Sequence, residues 1–170
     1  MNIWRHIVRQ GRKEYSAGAR FAAIACESAV FVFGIPALLV GSAGFGSGHW
    51  QFTLPRPFLT ICLVFMVLGL LLALRTVWVQ FFYARGTPVP VMATQRLLTG
   101  GPYSFCRNPM ALGTLVFYFG IAIFLQSFIP LLVVVLFGLG LVTLIKRGEE
   151  RELLLKFGDE YLRYKLRTPF

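Results

Sequence analysis

The chain has 170 residues, 56% of them hydrophobic and only 14% charged, with a mean hydropathy of +0.68. A water-soluble domain of this size needs more polar surface to cover itself, so the bilayer is the solvent this composition predicts. Seventeen Lys and Arg against seven Asp and Glu give a net charge of +10, but no basic groove with interleaved aromatics lies outside the apolar runs, which sets aside a nucleic-acid partner.

Residues 1–20 mix Arg5, Arg9, Arg12, Lys13 and Arg20 with Ile3, Trp4, Ile7 and Val8. The pattern fits a basic amphipathic helix on the membrane surface, and equally a solvated basic leader. It is too polar for a cleavable signal peptide. The first apolar run, Phe21 to Ala43, is long enough to cross a hydrocarbon core of about 30 Å, with Pro36 as a candidate kink. Residues 44–57 form a Gly/Ser/Pro connector, whose glycines lack the strand and helix context of a nucleotide loop. A second run from Phe58 to Leu74 continues as a mixed helix to Tyr83. Arg75, Trp78 and Tyr83 suit its approach to an interface.

Residues 84–108 are polar and turn-rich. The block Met110 to Ile145 is too long for one helix, and Gln126-Ser127 with Pro130 divides it, which predicts a hairpin of two spans. The tail, Lys146 to Phe170, carries Leu153, Leu154, Phe157, Tyr161 and Tyr164 at helical spacing and ends at Thr168-Pro169. The expected fold is an all-α integral membrane protein of about four transmembrane helices, with a C-terminal hairpin and a cytoplasmic tail helix. Three regions follow: a basic segment at 1–20, two spans at 21–83, and a core at 84–170.

Charge orients the spans. Five basic residues precede the first, Arg85, Arg96 and Arg107 lie in the 84–108 loop, and seven lie in the tail, against Arg56 alone on the other side. The positive-inside rule puts both termini, the loop and the tail in the cytoplasm. Cys26, Cys62 and Cys106 have no metal or disulfide spacing, and His6 and His49 are distant from the loop. Glu27 and Arg75 fall at similar depth, roughly 10 Å inside the cytoplasmic boundary by helical rise. They are expected to pair and fix the first two helices, because lone charges at that depth are costly.

The segment Gly100-Gly-Pro-Tyr-Ser-Phe-Cys-Arg-Asn-Pro-Met-Ala-Leu-Gly113 is followed, after the hairpin, by Glu149-Glu150 and then Phe157-Gly-Asp-Glu-Tyr161 with Tyr164. Together with Gly86-Thr-Pro-Val-Pro90 this order resembles the isoprenylcysteine carboxyl methyltransferase and phospholipid methyltransferase family, in its bacterial form, over about residues 85–170. The resemblance implies an S-adenosylmethionine-dependent methyltransferase of the inner or plasma membrane. Its substrate would be a lipophilic or membrane-associated carboxylate, amine or thiol. By the same resemblance the cofactor contacts fall on Gln95, Arg96, Leu97, Leu98, Tyr103, Asn108, Pro109, Met110, Ala111 and Glu149, with Arg107 and Glu150 as catalytic candidates.

Three positions depart from eukaryotic members, which have histidine at Asn108, tyrosine at Ala111 and a substrate-carboxylate arginine at the position of Ile145; Lys146 and Arg147 are its neighbours. Asn108 replaces a histidine and cannot titrate near neutrality, which suits a ligand contact better than a base. A base, if one is needed, would be Glu150, Tyr103 or Tyr161. The competing readings are a membrane reductase of related C-terminal architecture and a non-catalytic scaffold.

Overall fold

The computed structural model describes residues 16–45, 50–84 and 96–170. Among them there are helices and turns but no strand, only one isolated antiparallel bridge between Gln51 and Ser127. The basic segment expected over residues 1–20 lies largely outside the described residues.

Helix α1, Ala17–Ala29, starts where the Ser16 hydroxyl accepts the Ala19 amide at 3.2 Å. It runs through a π turn, Val30–Gly34, into α2, Ile35–Ala43. The cause of the turn is Pro36, which has no N–H for the preceding helical turn, so the ladder rearranges there instead of breaking. The Tyr118 hydroxyl donates to the Phe31 carbonyl at 2.7 Å and so pins the turn to the hairpin. Helix α3, Arg56–Val79, has 24 residues and ends in a second π turn, Gln80–Ala84. The hairpin consists of α4, Pro109–Phe124, and α5, Phe128–Leu144. A third π turn, Ile145–Glu149, leads into α6, Glu150–Phe157, and then α7, Asp159–Arg167.

Of the about four transmembrane helices expected, three helical stretches are long and apolar enough to cross a membrane: Phe21–Ala43, Arg56–Tyr83 and Phe128–Phe157. The fourth, Pro109–Phe124, has 16 residues and rises about 24 Å, short of a ~30 Å hydrocarbon core. It is also the most enclosed, with Ala111, Gly113, Thr114, Tyr118, Gly120, Ile121 and Ala122 buried. Phe33, Val67, Leu71, Leu136 and Leu139 are exposed around the outside. That arrangement leaves apolar side chains facing lipid and satisfies the backbone within each helix. The protein is an integral membrane protein in contact with lipid.

The core of the bundle is Leu39, Tyr118, Ile121, Ala122 and Val134. α3 and α4 cross at Gly69 and Gly113, where a Cβ on Gly69 would lie 2.7 Å from the Gly113 carbonyl oxygen. The Arg75 guanidinium lies 4.8 Å from the Trp78 ring centroid, and Glu27 lines a cleft with Leu70, Ala73 and Val77.

At the far end, the hairpin turns at Gln126, whose φ of 53° is left-handed. Its carbonyl accepts the Phe52 amide at 3.0 Å, and its side-chain Oε1 accepts the Leu54 amide at 2.8 Å. Gln126→Ala would remove the side-chain bond and retain the backbone strain, for a loss of about 1 kcal/mol. Gln126→Gly removes both, so its Tm in detergent should lie closer to wild type than that of the alanine variant.

Candidate active site

The chain reaches the site through Gly101, whose φ of 60° starts a single 3-10 turn, Gly101–Ser104. Four residues on, Asn108 caps α4, and Pro109 takes the first helical position, where no N–H is needed. The two ends of the Asn108 amide do different work. Oδ1 accepts the Ala111 amide at 3.0 Å, and Nδ2 donates to Glu149 Oε2 at 3.0 Å. One side chain thus closes the start of α4 and holds the last residue of the π turn after α5.

That π turn sets which residues face inward. It holds Ile145 in the core and turns Glu149 and Glu150 toward the loop, while Lys146 and Arg147 stay exposed. A regular helix through the same residues would rotate the glutamates by much of the ~100° that separates neighbours.

A second layer surrounds this link. Arg107 Nη1 lies 2.6 Å from Glu150 Oε1, and Lys165 Nζ lies 2.7 Å from Glu150 Oε2. Glu150 and Arg107 are both largely shielded from water, so the pair interacts in a medium well below the dielectric of bulk solvent. The tail can supply Lys165 because Gly158, at φ 51°, separates α6 from α7 and lets α7 fold back. Tyr164 donates its hydroxyl to the Tyr103 carbonyl at 2.7 Å, and the Arg107 amide donates to the Pro169 carbonyl at 2.9 Å. The Phe170 ring lies under both Arg107, at 5.8 Å, and Lys146, at 5.2 Å.

Between these elements is a cleft of about 340 Å³, lined by Gln80, Leu97, Leu98, Tyr103, Arg107, Glu149, Leu153 and Tyr164. It combines leucines with a carboxylate, a guanidinium, an amide and phenols. Such a lining can take a ligand that has an apolar ring and a hydroxylic or ionic end. Of the residues expected from the sequence, Leu97, Leu98, Tyr103, Arg107 and Glu149 line it. Asn108 is bonded to Glu149, and Pro109 and Ala111 are buried behind the cap. Met110 turns instead to a separate cleft with Thr114 and Phe117, Arg96 is exposed, and Gln95 lies outside the described residues.

Gln80, Leu153 and Tyr164 were not singled out as site residues. Gln80 is buried at the end of α3, and its π turn gave no local sign in the apolar pattern. Tyr164 was visible as one stripe of an amphipathic tail, a pattern that does not say where the stripe docks.

The three phenols of the tail and loop share one electrostatic feature. Burial, followed by the negative charge of Glu149, pushes Tyr103 up, and burial likewise raises Tyr164. Tyr161 is raised by burial and then by Glu150. These groups stay neutral at physiological pH; the Tyr164 hydroxyl donates to the Tyr103 carbonyl, and the Tyr161 oxygen accepts from Arg107. Because the unfolded chain loses such protons first, folded stability is level below the ordinary tyrosine value of 10.0 and falls above it. The Tm in detergent should therefore decline above that pH. Replacing Tyr103 and Tyr164 by phenylalanine should make the decline shallower.

The loop, hairpin and folded-back tail define a helical membrane protein with a polar cleft at the loop end of the bundle. Residues 58–160 match the family described as Phospholipid methyltransferase. The chain belongs to that family and is a membrane methyltransferase. Neither the curated proteins nor the solved structures give a match.

Proposed function

We propose that the chain transfers the methyl group of S-adenosylmethionine to a lipophilic or membrane-associated acceptor, with the donor held in the cleft between the loop and the tail. The observation that carries this is the Asn108–Glu149 bond at 3.0 Å beside Leu97, Leu98 and Tyr103. When bound, S-adenosylmethionine supplies a methyl group on a sulfonium that is open to in-line displacement.

The residues present fit it. Glu149 offers acceptors for hydroxyl or ammonium groups, Arg107 and Gln80 offer donors for a carboxylate, and Leu97 and Leu98 offer apolar walls for a ring. Asn108 fixes the orientation of Glu149. In this reading Glu150, engaged by Arg107 and Lys165, is a positioning residue for Arg107. Ile145 buries a methyl-bearing face where eukaryotic relatives place an arginine, which favours acceptors other than a prenylcysteine carboxylate. Alignment and exclusion of water are the contributions such a site makes to methyl transfer.

We assign residues 84–170 as the methyltransferase core and the two helices of 21–83 as the wall that shapes substrate access. Both termini are assigned to the cytoplasm of a bacterial-type inner membrane, from the basic residues that flank the loop and tail. Calorimetric titration of the detergent-purified chain with S-adenosylhomocysteine should show saturable binding, and titration with a nicotinamide cofactor should show none. Folded protein that bound only the nicotinamide would replace this reading with the reductase one, and folded protein that bound neither would leave the scaffold.

A further inference from the structure

Helix α7 has two apolar faces, and only one of them is used inside the protein. Tyr161 and Tyr164 are buried, and Thr168 extends the same face. Leu162 and Leu166, one turn apart and turned away from the tyrosines, are 44% and 87% exposed. Leu166 is more exposed than any other large apolar side chain among the described residues, those of the lipid-facing spans included. Arg163 and Arg167, also one turn apart, are exposed beside the leucines, and neither enters an ion pair among the described residues. The acidic residues of the helix, Asp159 and Glu160, sit in its first turn, at the end away from Leu166 and Arg167.

The fold brings this face to the membrane boundary. α5 starts at Phe128, and about 20 residues of helix cross a ~30 Å hydrocarbon core. The chain therefore leaves the core at about the π turn Ile145–Glu149. α7 returns to that level after the break at Gly158. Lys165 meets Glu150 at 2.7 Å, and the Pro169 carbonyl accepts the Arg107 amide at 2.9 Å, just before α4 begins. Leu166 and Arg167 lie between these two anchors, and Arg147 is exposed in the π turn itself. A leucine pair flanked by guanidinium groups is what a helix needs at the boundary of headgroups and acyl chains. The leucines enter the apolar side, and the arginines meet phosphate.

We propose that α7 docks on the anionic lipid surface of the protein's own membrane and that this docking holds the tail over the donor cleft. Leu162 and Leu166 enter the headgroup boundary, and Arg163 and Arg167 engage lipid phosphates. The link to the cleft is short. Tyr164 and Lys165, on the same two turns, bond Tyr103, a wall of the cleft, and Glu150, the partner of Arg107. Lipid that holds α7 in place raises the share of protein whose cleft is complete, and a ligand then binds more tightly. The docking stands on this geometry, whereas its effect on the cleft rests on the methyltransferase reading.

The test uses the full chain in nanodiscs of phosphatidylcholine alone and of equal parts phosphatidylcholine and phosphatidylglycerol. Leu166→Cys carries a bimane label in a Cys26→Ser background, where the native thiols that remain are buried. Lipids with a nitroxide near the headgroup report its depth. Quenching should be strong in the mixed discs and weaker in the neutral ones, and the difference should shrink with added salt. Unlabelled protein should bind S-adenosylhomocysteine about fivefold more tightly in the mixed discs, the worth of one arginine near an anionic surface. Arg163→Gln with Arg167→Gln should abolish both lipid effects and keep the affinity measured in neutral discs. Inorganic phosphate added to neutral discs should not reproduce the gain, which separates a lipid surface from a soluble anion. An unquenched label in mixed discs, or lipid effects that persist in the folded double arginine variant, overturns the docking. Label-to-label contact that needs two copies in one disc, without quenching, gives the face to a second copy and overturns it too. Lipid-dependent quenching with unchanged S-adenosylhomocysteine affinity overturns the hold on the cleft. Lipid-dependent quenching with no S-adenosylhomocysteine binding in any disc keeps the docking and overturns the donor-site reading.

Discussion

Asn108→Ala is expected to weaken S-adenosylhomocysteine binding by about thirtyfold, the equivalent of the ~2 kcal/mol carried by a hydrogen bond to a charged partner. It should also lower stability by ~1 kcal/mol, because the Ala111 amide loses its cap. The two effects can be separated. Asn108→Asp keeps an oxygen for the Ala111 amide but sets a second carboxylate where Nδ2 now donates, 3.0 Å from Glu149 Oε2. Its helix cap survives while its binding is lost at least as fully. Adding Glu149→Gln to Asn108→Asp reverses donor and acceptor, and the double variant should regain most of the lost Tm. It should not regain binding if the ligand needs the Glu149 charge. Calorimetry and thermal unfolding in detergent read both quantities. Full affinity in a folded Asn108→Ala protein would mean that Glu149 needs no partner and that the bond does not organise the cleft.

Much of this architecture could be read before any coordinates, and the reason is the bilayer. An apolar run of the length of Phe21–Ala43 has few alternatives in lipid, because each backbone group must be satisfied within its own helix. The break at Gln126-Ser127 was equally plain, since a polar pair and a proline divide an otherwise continuous apolar block. What could not be read is rotation and register. Depth along the axis leaves the azimuth of a side chain such as Arg75 to packing, and its guanidinium lies over Trp78. The π turn at Ile145–Glu149 shifts register by one residue and decides that Ile145, not a cation, faces inward.

The site divides in the same way. The loop motif and the glutamate pair were legible because their order around the hairpin resembles a known family. Gln80 and Tyr164 were not, since each reaches the cleft only through a packing event far from the motif: the end of α3 beside the loop, and the fold-back at Gly158. Gly158 was visible in the motif, but a glycine at a left-handed φ becomes a helix break only when something holds the second helix. Here the Lys165–Glu150 ion pair and the Tyr164–Tyr103 bond do so.

Gly113→Leu should be the most damaging single substitution in the membrane region. A Cβ at this position would lie 2.7 Å from the Ala73 amide nitrogen and 2.7 Å from the Gly69 carbonyl oxygen. Both are backbone atoms of α3, so no side chain can rotate away and the helices must separate. Gly69→Leu meets the same wall from the other side, 2.6 Å from the Phe117 amide nitrogen. In lipid there is little hydrophobic gain to draw helices together, so close backbone approach at small residues carries much of the association. Losing it should cost about 3 kcal/mol, the upper end for overpacking. Because α4 starts at the Asn108 cap, separation at Gly113 would also move the cap away from Glu149. Gly140→Leu is the control, for a Cβ there meets nothing within 4 Å. The expected result is a monodisperse, ligand-binding Gly140→Leu protein and Gly113→Leu and Gly69→Leu proteins that aggregate on extraction or melt far below wild type. A Gly113→Leu protein with wild-type Tm would show that the α3–α4 crossing is looser than these distances allow, and that the cap over Glu149 is held from the tail side alone.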